Sequence, residues 1–231
     1  MIERALIVGA GDGISASFAR RLAKDNVRVL LASRSPDKLS GLVAESGGKA
    51  VACDVAKPDD VRRLFELADS HFGTPDVVLF NPSFRTRGPI VELNPDDVAQ
   101  ALTVGALGGF LVGQEAARRM LARGKGAIFF TGASASVKGY AQSAPFAMAK
   151  FALRGLAQSM ARELQPKNIH VAHFVIDGGV ASPIKGRIAP ADQPDSLLDP
   201  DAIAETYWAV LHQHRSAWTS EIELRPWVER F

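Results

Sequence analysis

The chain has 231 residues, 47% hydrophobic and 23% charged, a balance that fits a globular protein with a full core and leaves open one α/β domain or two small ones. Lys and Arg number 27 against 25 acidic residues, a net charge of +2, which argues against a dedicated nucleic-acid or membrane surface. The one cysteine, Cys53, excludes an internal disulfide and a Cys-rich metal centre, and it fits a reducing, cytoplasmic compartment.

Met1-Ile2-Glu3-Arg4 runs straight into apolar sequence, so no leader peptide is expected. No run of about 20 apolar residues is present to span a bilayer. Ala5-Leu6-Ile7-Val8 reads as a short buried strand. Next come Gly9-Ala10-Gly11-Asp12-Gly13-Ile14-Ser15 and then a helical pattern from Ser17 to Lys24, with Phe18, Ala19 and Leu22 on one face. Strand, Gly-rich turn and helix in that order are the context a dinucleotide site needs. The glycines let the backbone turn sharply and approach a pyrophosphate, and the free N–H groups at the helix start hold it. Gly9, Gly11, Asp12, Gly13 and Ile14 are therefore the expected phosphate cradle.

Val27 to Ala32 reads as a second strand, followed by Ser33-Arg34-Ser35. No acidic residue stands there to take a ribose 2′-hydroxyl. Ser33 and Arg34 can instead hold a 2′-phosphate through charge-assisted hydrogen bonds, which favours NADP(H) over NAD(H). Ala50 to Cys53 is a third strand, and Asp54 follows it where the chain would meet the adenine edge. Pro58 to Phe72 is an amphipathic helix with Val61, Leu64, Phe65 and Ala68 inward. Asp76 to Phe80 is a fourth strand, and the Asn81 amide after it is placed to brace the phosphate loop.

Pro95 to Arg123 reads as one long helix or two, interrupted at Gly105, Gly108, Gly109 and Gly113. Ala127 to Thr131 is a fifth strand, Phe146 to Leu164 a long helix, and Ile169 to Val175 a sixth strand. Asp201 to Gln213 is helical and Ser220 to Leu224 is a last strand. Strands spaced by helices imply βαβ crossovers and a doubly wound parallel sheet with helices on both faces. Residues 182–200 carry Pro183, Gly186, Pro190, Pro194 and Pro200 and leave the sixth strand at the end where ligands bind, so they read as a mobile lid. His170 and His173 are three apart and fall on opposite faces of an ideal strand. They read as packing or surface residues, and no metal site is expected.

Taken together, these motifs resemble those of the short-chain dehydrogenase/reductase family over essentially the full length. The resemblance implies a single Rossmann-type domain, residues 1–231, with a seven-stranded parallel sheet. The family's Gly-x-x-x-Gly-x-Gly pattern meets Gly9, Gly13 and Ser15, so the third glycine is replaced. Asp54-Val55 resembles the family's adenine contact, and Asn81-Pro82-Ser83 its Asn-Ala-Gly turn in the first residue. Asp177-Gly178-Gly179-Val180-Ala181-Ser182 lies where the family has Pro-Gly-x-Val-x-Thr, which implies cofactor contacts from Gly178 and Val180.

The resemblance implies hydride transfer between a nicotinamide and a small-molecule carbonyl or alcohol, with the tyrosine of a Tyr-x-x-x-Lys motif as acid/base. The aligned stretch is Phe146-Ala147-Met148-Ala149-Lys150. Positions four apart share a helix face, so Lys150 would reach the cofactor ribose and lower the pKa of a phenol one turn away. Phe146 has no phenol. The family serine, thirteen positions back, falls on Ala133; Ser134 is favoured in its place, with Ser136 the other candidate. The family's helix asparagine aligns with Gly105. Tyr140 and Asp177 are the groups that would substitute, although Tyr140 reads first as loop packing and Asp177 first as a turn carboxylate.

Two readings follow. One is an NADP(H)-dependent oxidoreductase with an atypical catalytic site. The other is a nucleotide-binding protein without redox catalysis, acting as sensor, scaffold or partner subunit. The two long helices carry more apolar and small surface than one sheet face needs, so a homodimer or homotetramer is expected. The segment from Trp218 to Phe231, with Trp227, either buries in a neighbour or packs on its own subunit.

Overall fold

Seven apolar runs pair in parallel to make one sheet. The computed structural model describes residues 1–229; Phe231 of the aromatic tail lies outside them. The strands are Arg4–Val8 (β1), Arg28–Ser33 (β2), Lys49–Ala52 (β3), Val77–Phe80 (β4), Gly126–Thr131 (β5), Ile169–Ile176 (β6) and Glu221–Leu224 (β7). Their order is β3-β2-β1-β4-β5-β6-β7, all parallel. Every residue of β4 and β6 is buried. Both faces of the inner strands are covered, which is why they read as continuous apolar runs instead of alternating ones.

The helices are Ile14–Lys24 (α1), Ser40–Ser46 (α2), Pro58–Phe72 (α3), Pro95–Leu102 (α4), Gly108–Arg123 (α5), Ala144–Leu164 (α6) and Pro200–Leu211 (α7). One core layer packs Leu6, Val78, Phe80 and Phe130 against α3, α5 and α6 through Leu64, Val112 and Leu153. The other packs Ile7, Leu31, Phe129 and Phe174 against α1 and α7 through Phe18, Leu22 and Tyr207. This is the single-domain, doubly wound Rossmann-type fold that the resemblance implies. Helix α2 was not expected; Leu42 and Ser46 are its buried residues, and left-handed Gly47, φ +62°, ends it.

The chain reverses its winding between β1 and β4, where Val8 pairs with Phe80. In such a sheet the ligand crevice opens outside the carboxyl ends at this switch point. Gly9 and Asn81 are the next residues of the two strands, so the topology brings them together there.

Between α4 and α5 the long helix carries one π-helical turn, Thr103–Leu107. Its glycines are used within the subunit. A Cβ on Gly105 would lie 2.9 Å from the Ala149 Cβ, and one on Gly109 would lie 2.5 Å from a Leu153 methyl. At Gly113 it would meet Met160 at 3.0 Å. These positions four apart form the groove into which α6 fits. What stays outside is apolar and bulky: Leu107, Phe110, Met148 and Phe151 are all exposed.

His170 and His173 lie on opposite faces of β6. The His170 ring stacks on Trp218 at 4.7 Å, so this part of the tail packs on its own subunit, while Trp227 is 77% exposed.

Candidate nucleotide and catalytic site

The phosphate loop is built by backbone first. Gly9 sits at φ +80°, and its N–H and that of Ala10 both donate to the Ala32 carbonyl, at 3.0 and 2.9 Å. A Cβ on Gly9 would lie 2.6 Å from the Pro82 nitrogen, so this position admits glycine alone. Gly11 and Gly13 face open space. Helix α1 starts at Gly13 without a side-chain cap and without an acidic residue in its first turn, leaving its N–H groups for an anion. Ser15, which replaces the third glycine, is buried; its hydroxyl donates to the Gly9 carbonyl at 3.1 Å and accepts from Asn81 Nδ2 at 2.7 Å.

Two clefts meet at this loop. The first, about 370 Å³, is lined by Gly9, Ser33, Arg34, Asp54, Val55, Asn81 and others. Arg34 is exposed and half-buried Ser33 stands beside it, while Asp54 Oδ1 accepts from the Ala56 N–H at 3.1 Å. Cys53, on the same wall, is buried, and burial pushes its thiol up to about 12. The second cleft, about 350 Å³, is lined by Gly11, Asp12, Gly13, Ile14, Val180 and Ser182. Lys185 lines both clefts and Arg187 the second; neither was anticipated, because only the path of the segment after β6 brings them beside the loop after β1. That segment is tied at its base by Ser182 and Arg187, whose backbones exchange hydrogen bonds at 2.9 and 3.0 Å. Gly178, φ +153°, packs instead against Pro226, whose Cδ a Cβ would approach to 2.6 Å.

A groove with an uncapped helix start, a glycine that admits no side chain and cations along its length fits a dinucleotide with its phosphates. At the ribose end the exposed Arg34 stands beside Ser33 on the wall of the same cleft, a donor pair that fits a phosphate.

On α6, Phe146 and Lys150 share one face. Lys150 is buried, and its ammonium donates to the Thr131 carbonyl at 2.7 Å. Burial, and then the charge of Arg85, lower it to about 8. The Phe146 ring is also buried and packs with Ala133, Ala135 and Ala147. Lys150 Nζ lies 5.8 Å from its centroid, and Arg85 Cζ lies 4.5 Å from it, a cation that sequence reasoning missed.

The other candidates separate clearly. The fully buried Ser136 hydroxyl accepts from the Ala133 N–H at 3.1 Å and so closes its own turn; Ser134 is only half-buried. Asp177 is buried between Lys138, at 3.2 Å, and Arg225, at 2.9 Å, an ion-paired anchor for the end of β6. Tyr140 is exposed, and Tyr207 is buried in the α1/α7 layer with its hydroxyl 3.0 Å from Thr131 Oγ1. At Gly105 the close approach of Ala149 leaves no room for an asparagine side chain. His173 is buried below Gly132, its Nδ1 3.1 Å from Glu221; burial, opposed by Glu221, holds it down at about 4. Among the described residues, no three His, Cys, Asp or Glu side chains group as a metal site, and no helix is long and apolar enough to cross a membrane.

Residues 3–193 match the family model for short chain dehydrogenase. A short-chain dehydrogenase of known structure from Rhodopseudomonas palustris is 40% identical, with a TM-score of 0.83 over 97% of this chain and 99% of that one. An uncharacterized oxidoreductase of Staphylococcus aureus strain N315 is 27% identical over 225 residues, 96% of each chain. An alcohol dehydrogenase from the archaeon Thermococcus sibiricus, solved with 5-hydroxy-NADP, shares the fold at a TM-score of 0.87 and 24% identity, over 100% of this chain and 99% of that one.

Proposed function

The chain belongs to the short-chain dehydrogenase family and is an oxidoreductase, and from that premise we propose that it uses NADP(H) and works without the family's tyrosine. The observation that carries the proposal is Phe146, an unreactive ring one turn before a buried Lys150. Ala133 packs beside it, so the two positions where the family carries hydroxyls are here an apolar pair.

Gly9, Gly11, Asp12, Gly13 and Ile14 hold the pyrophosphate, with Lys185 and Arg187 over it. Ser33 and Arg34 take the 2′-phosphate, Asp54 and Val55 the adenine edge, and Val180 the far end of the cofactor. Asn81 braces the loop through Ser15. Gly178 contributes by shaping the turn against Pro226. The chemistry drawn from a bound nicotinamide is hydride transfer. Lys150 orients the cofactor ribose, and Ser134 presents the one half-buried hydroxyl of its turn to the reacting group.

General acid assistance is typically worth about 10²–10⁴ in rate, roughly 3–5 kcal/mol. With that help absent, reduction of an activated C=C or C=N bond suits the site better than ketone reduction, because less charge develops on oxygen. The lid, residues 182–200, closes over substrate and carries two of the cofactor's cations. The exposed faces of Leu107, Phe110, Met148 and Phe151 pair two subunits about a two-fold axis, as a dimer or within a tetramer. The lone, buried Cys53 supports a reducing, cytoplasmic setting. The test is a panel of activated alkenes, imines and ketones with NADPH: the first two turn over and ketones do not. The absent phenol also fits a second reading, a nucleotide-binding sensor, scaffold or partner subunit, which predicts no turnover of any of the three; the buried Lys150, kept in register one turn after Phe146, favours the enzyme.

A further inference from the structure

Two arginines of the loop after β4, Arg85 and Arg87, gather at the mouth of the site. Arg85 lies over Phe146, with its Cζ 4.5 Å from the ring centroid. It is harder to keep protonated than an ordinary arginine, through burial first and then through the charges of Arg87 and Arg187. Among the described residues neither Arg85 nor Arg87 has an ion-pair partner. Like charges gathered without a counter-charge oppose one another, and such arrangements mark places where a ligand supplies the opposite sign.

The other cations of the mouth are accounted for. Lys185 and Arg187 line the phosphate cleft, and Arg187 also donates to the Val180 carbonyl at 3.1 Å. Arg85 and Arg87 remain. They share their loop with Ile90 and Val91, 73% and 88% exposed, and the facing lid presents Ile184 and Ile188, 79% and 68% exposed. The two loops meet, since Lys185 lines one cleft together with Ser83 and Phe84.

We propose that the substrate is an amphipathic anion, its oxyanion (a carboxylate or a phosphate) seated on Arg85 with support from Arg87, and its apolar body held by the isoleucines of the two loops. Stacking on Phe146 restrains the guanidinium in its plane and leaves its N–H donors for a bidentate partner. The anionic group then lies beside the reacting bond. The proposal rests on the reading of the neighbouring groove as the NADP site.

Calorimetry on the whole protein tests it in two stages, NADP+ first and then octanoate, octyl phosphate and neutral 1-octanol on the NADP+-loaded protein. At least one anion should bind about tenfold tighter than the alcohol, and the tighter of the two identifies the oxyanion. Arg85→Gln should bring that anion to within about twofold of octanol with NADP+ affinity unchanged, while Arg85→Lys keeps part of the preference. Equal binding of anions and alcohol, a preference that survives Arg85→Gln, or no binding of all three overturns the proposal. Loss of NADP+ affinity in Arg85→Gln overturns it too, because Arg85 then serves the cofactor. Failure of NADP+ to bind the wild type is instead the failure of the cofactor reading. In that event the same three probes on the nucleotide-free protein, with and without Arg85, decide this inference by the same criteria.

Discussion

Asn81 donates its side-chain amide to the Ser15 hydroxyl at 2.7 Å, and through it the end of β4 is tied to the Gly9 carbonyl, 3.1 Å further on. The hydroxyl thus does what a glycine in that position cannot. Ser15→Ala leaves a half-buried amide and a carbonyl without this partner, a loss of about 1 kcal/mol in denaturant unfolding. Because both side chains act through one bond, Asn81→Ala in the Ser15→Ala background should add little. A double-mutant cycle should show about 1 kcal/mol of coupling; strictly additive losses would mean that the relay carries no energy.

Phe146→Tyr places a phenol near two cations, Arg85 and Lys150, both of which favour its ionised form. In an active wild type, turnover of the alkene or imine substrate should stay within about threefold, while ketone reduction rises by about 10²–10⁴. Steady-state rates on both substrate classes check this. A wild type that reduces nothing, and gains ketone reduction only with the tyrosine, would favour the redox-inactive reading.

Lys150 carries a pH signature. Its pKa falls from 10.5 in the unfolded chain to about 8 through burial, so below pH 8 the fold bears the cost of a buried charge. Between pH 8 and 10.5 the unfolded state binds the extra proton, and stability contributed by this residue rises with pH. The shift corresponds to roughly 3 kcal/mol. The stability of Lys150→Met relative to wild type should therefore decline across that window by up to about this amount, read from urea midpoints. A difference independent of pH would mean that Lys150 titrates normally.

The surfaces of α5 and α6 make a prediction about assembly. Phe151→Asp, placed where the residue is 44% exposed, should leave the fold intact and convert the oligomer to monomer by light scattering. Gly109→Ala should instead unsettle the subunit itself, since its Cβ would collide with Leu153. An oligomer that survives the aspartate would place the interface elsewhere.

These glycines show where the sequence stops speaking. A stripe of small residues four apart reveals that something packs closely, but not whether the partner is α6 of the same chain or of another. The strands were legible because residues such as Val77 to Phe80 are apolar on both faces, and the loop after β1 because only glycine admits the turn at Gly9. Helix α2 was hidden by its length, about two turns of mostly small and polar residues. Ser15 was visible as a replacement, yet its bond to a residue 66 positions away was not. Arg85, Lys185 and Arg187 were invisible for the same reason: loops place them, and no periodicity encodes a loop's path. Phe146 was readable because helix register alone puts it one turn before Lys150.

Calorimetric titration of the protein with NADPH, NADP+, NADH and NAD+ needs no substrate. Binding of NADPH and NADP+ about tenfold or more tighter than of the other pair, lost in Arg34→Ala, is the predicted result. No heat with any of the four, or a preference for NADH that Arg34→Ala leaves untouched, would contradict it.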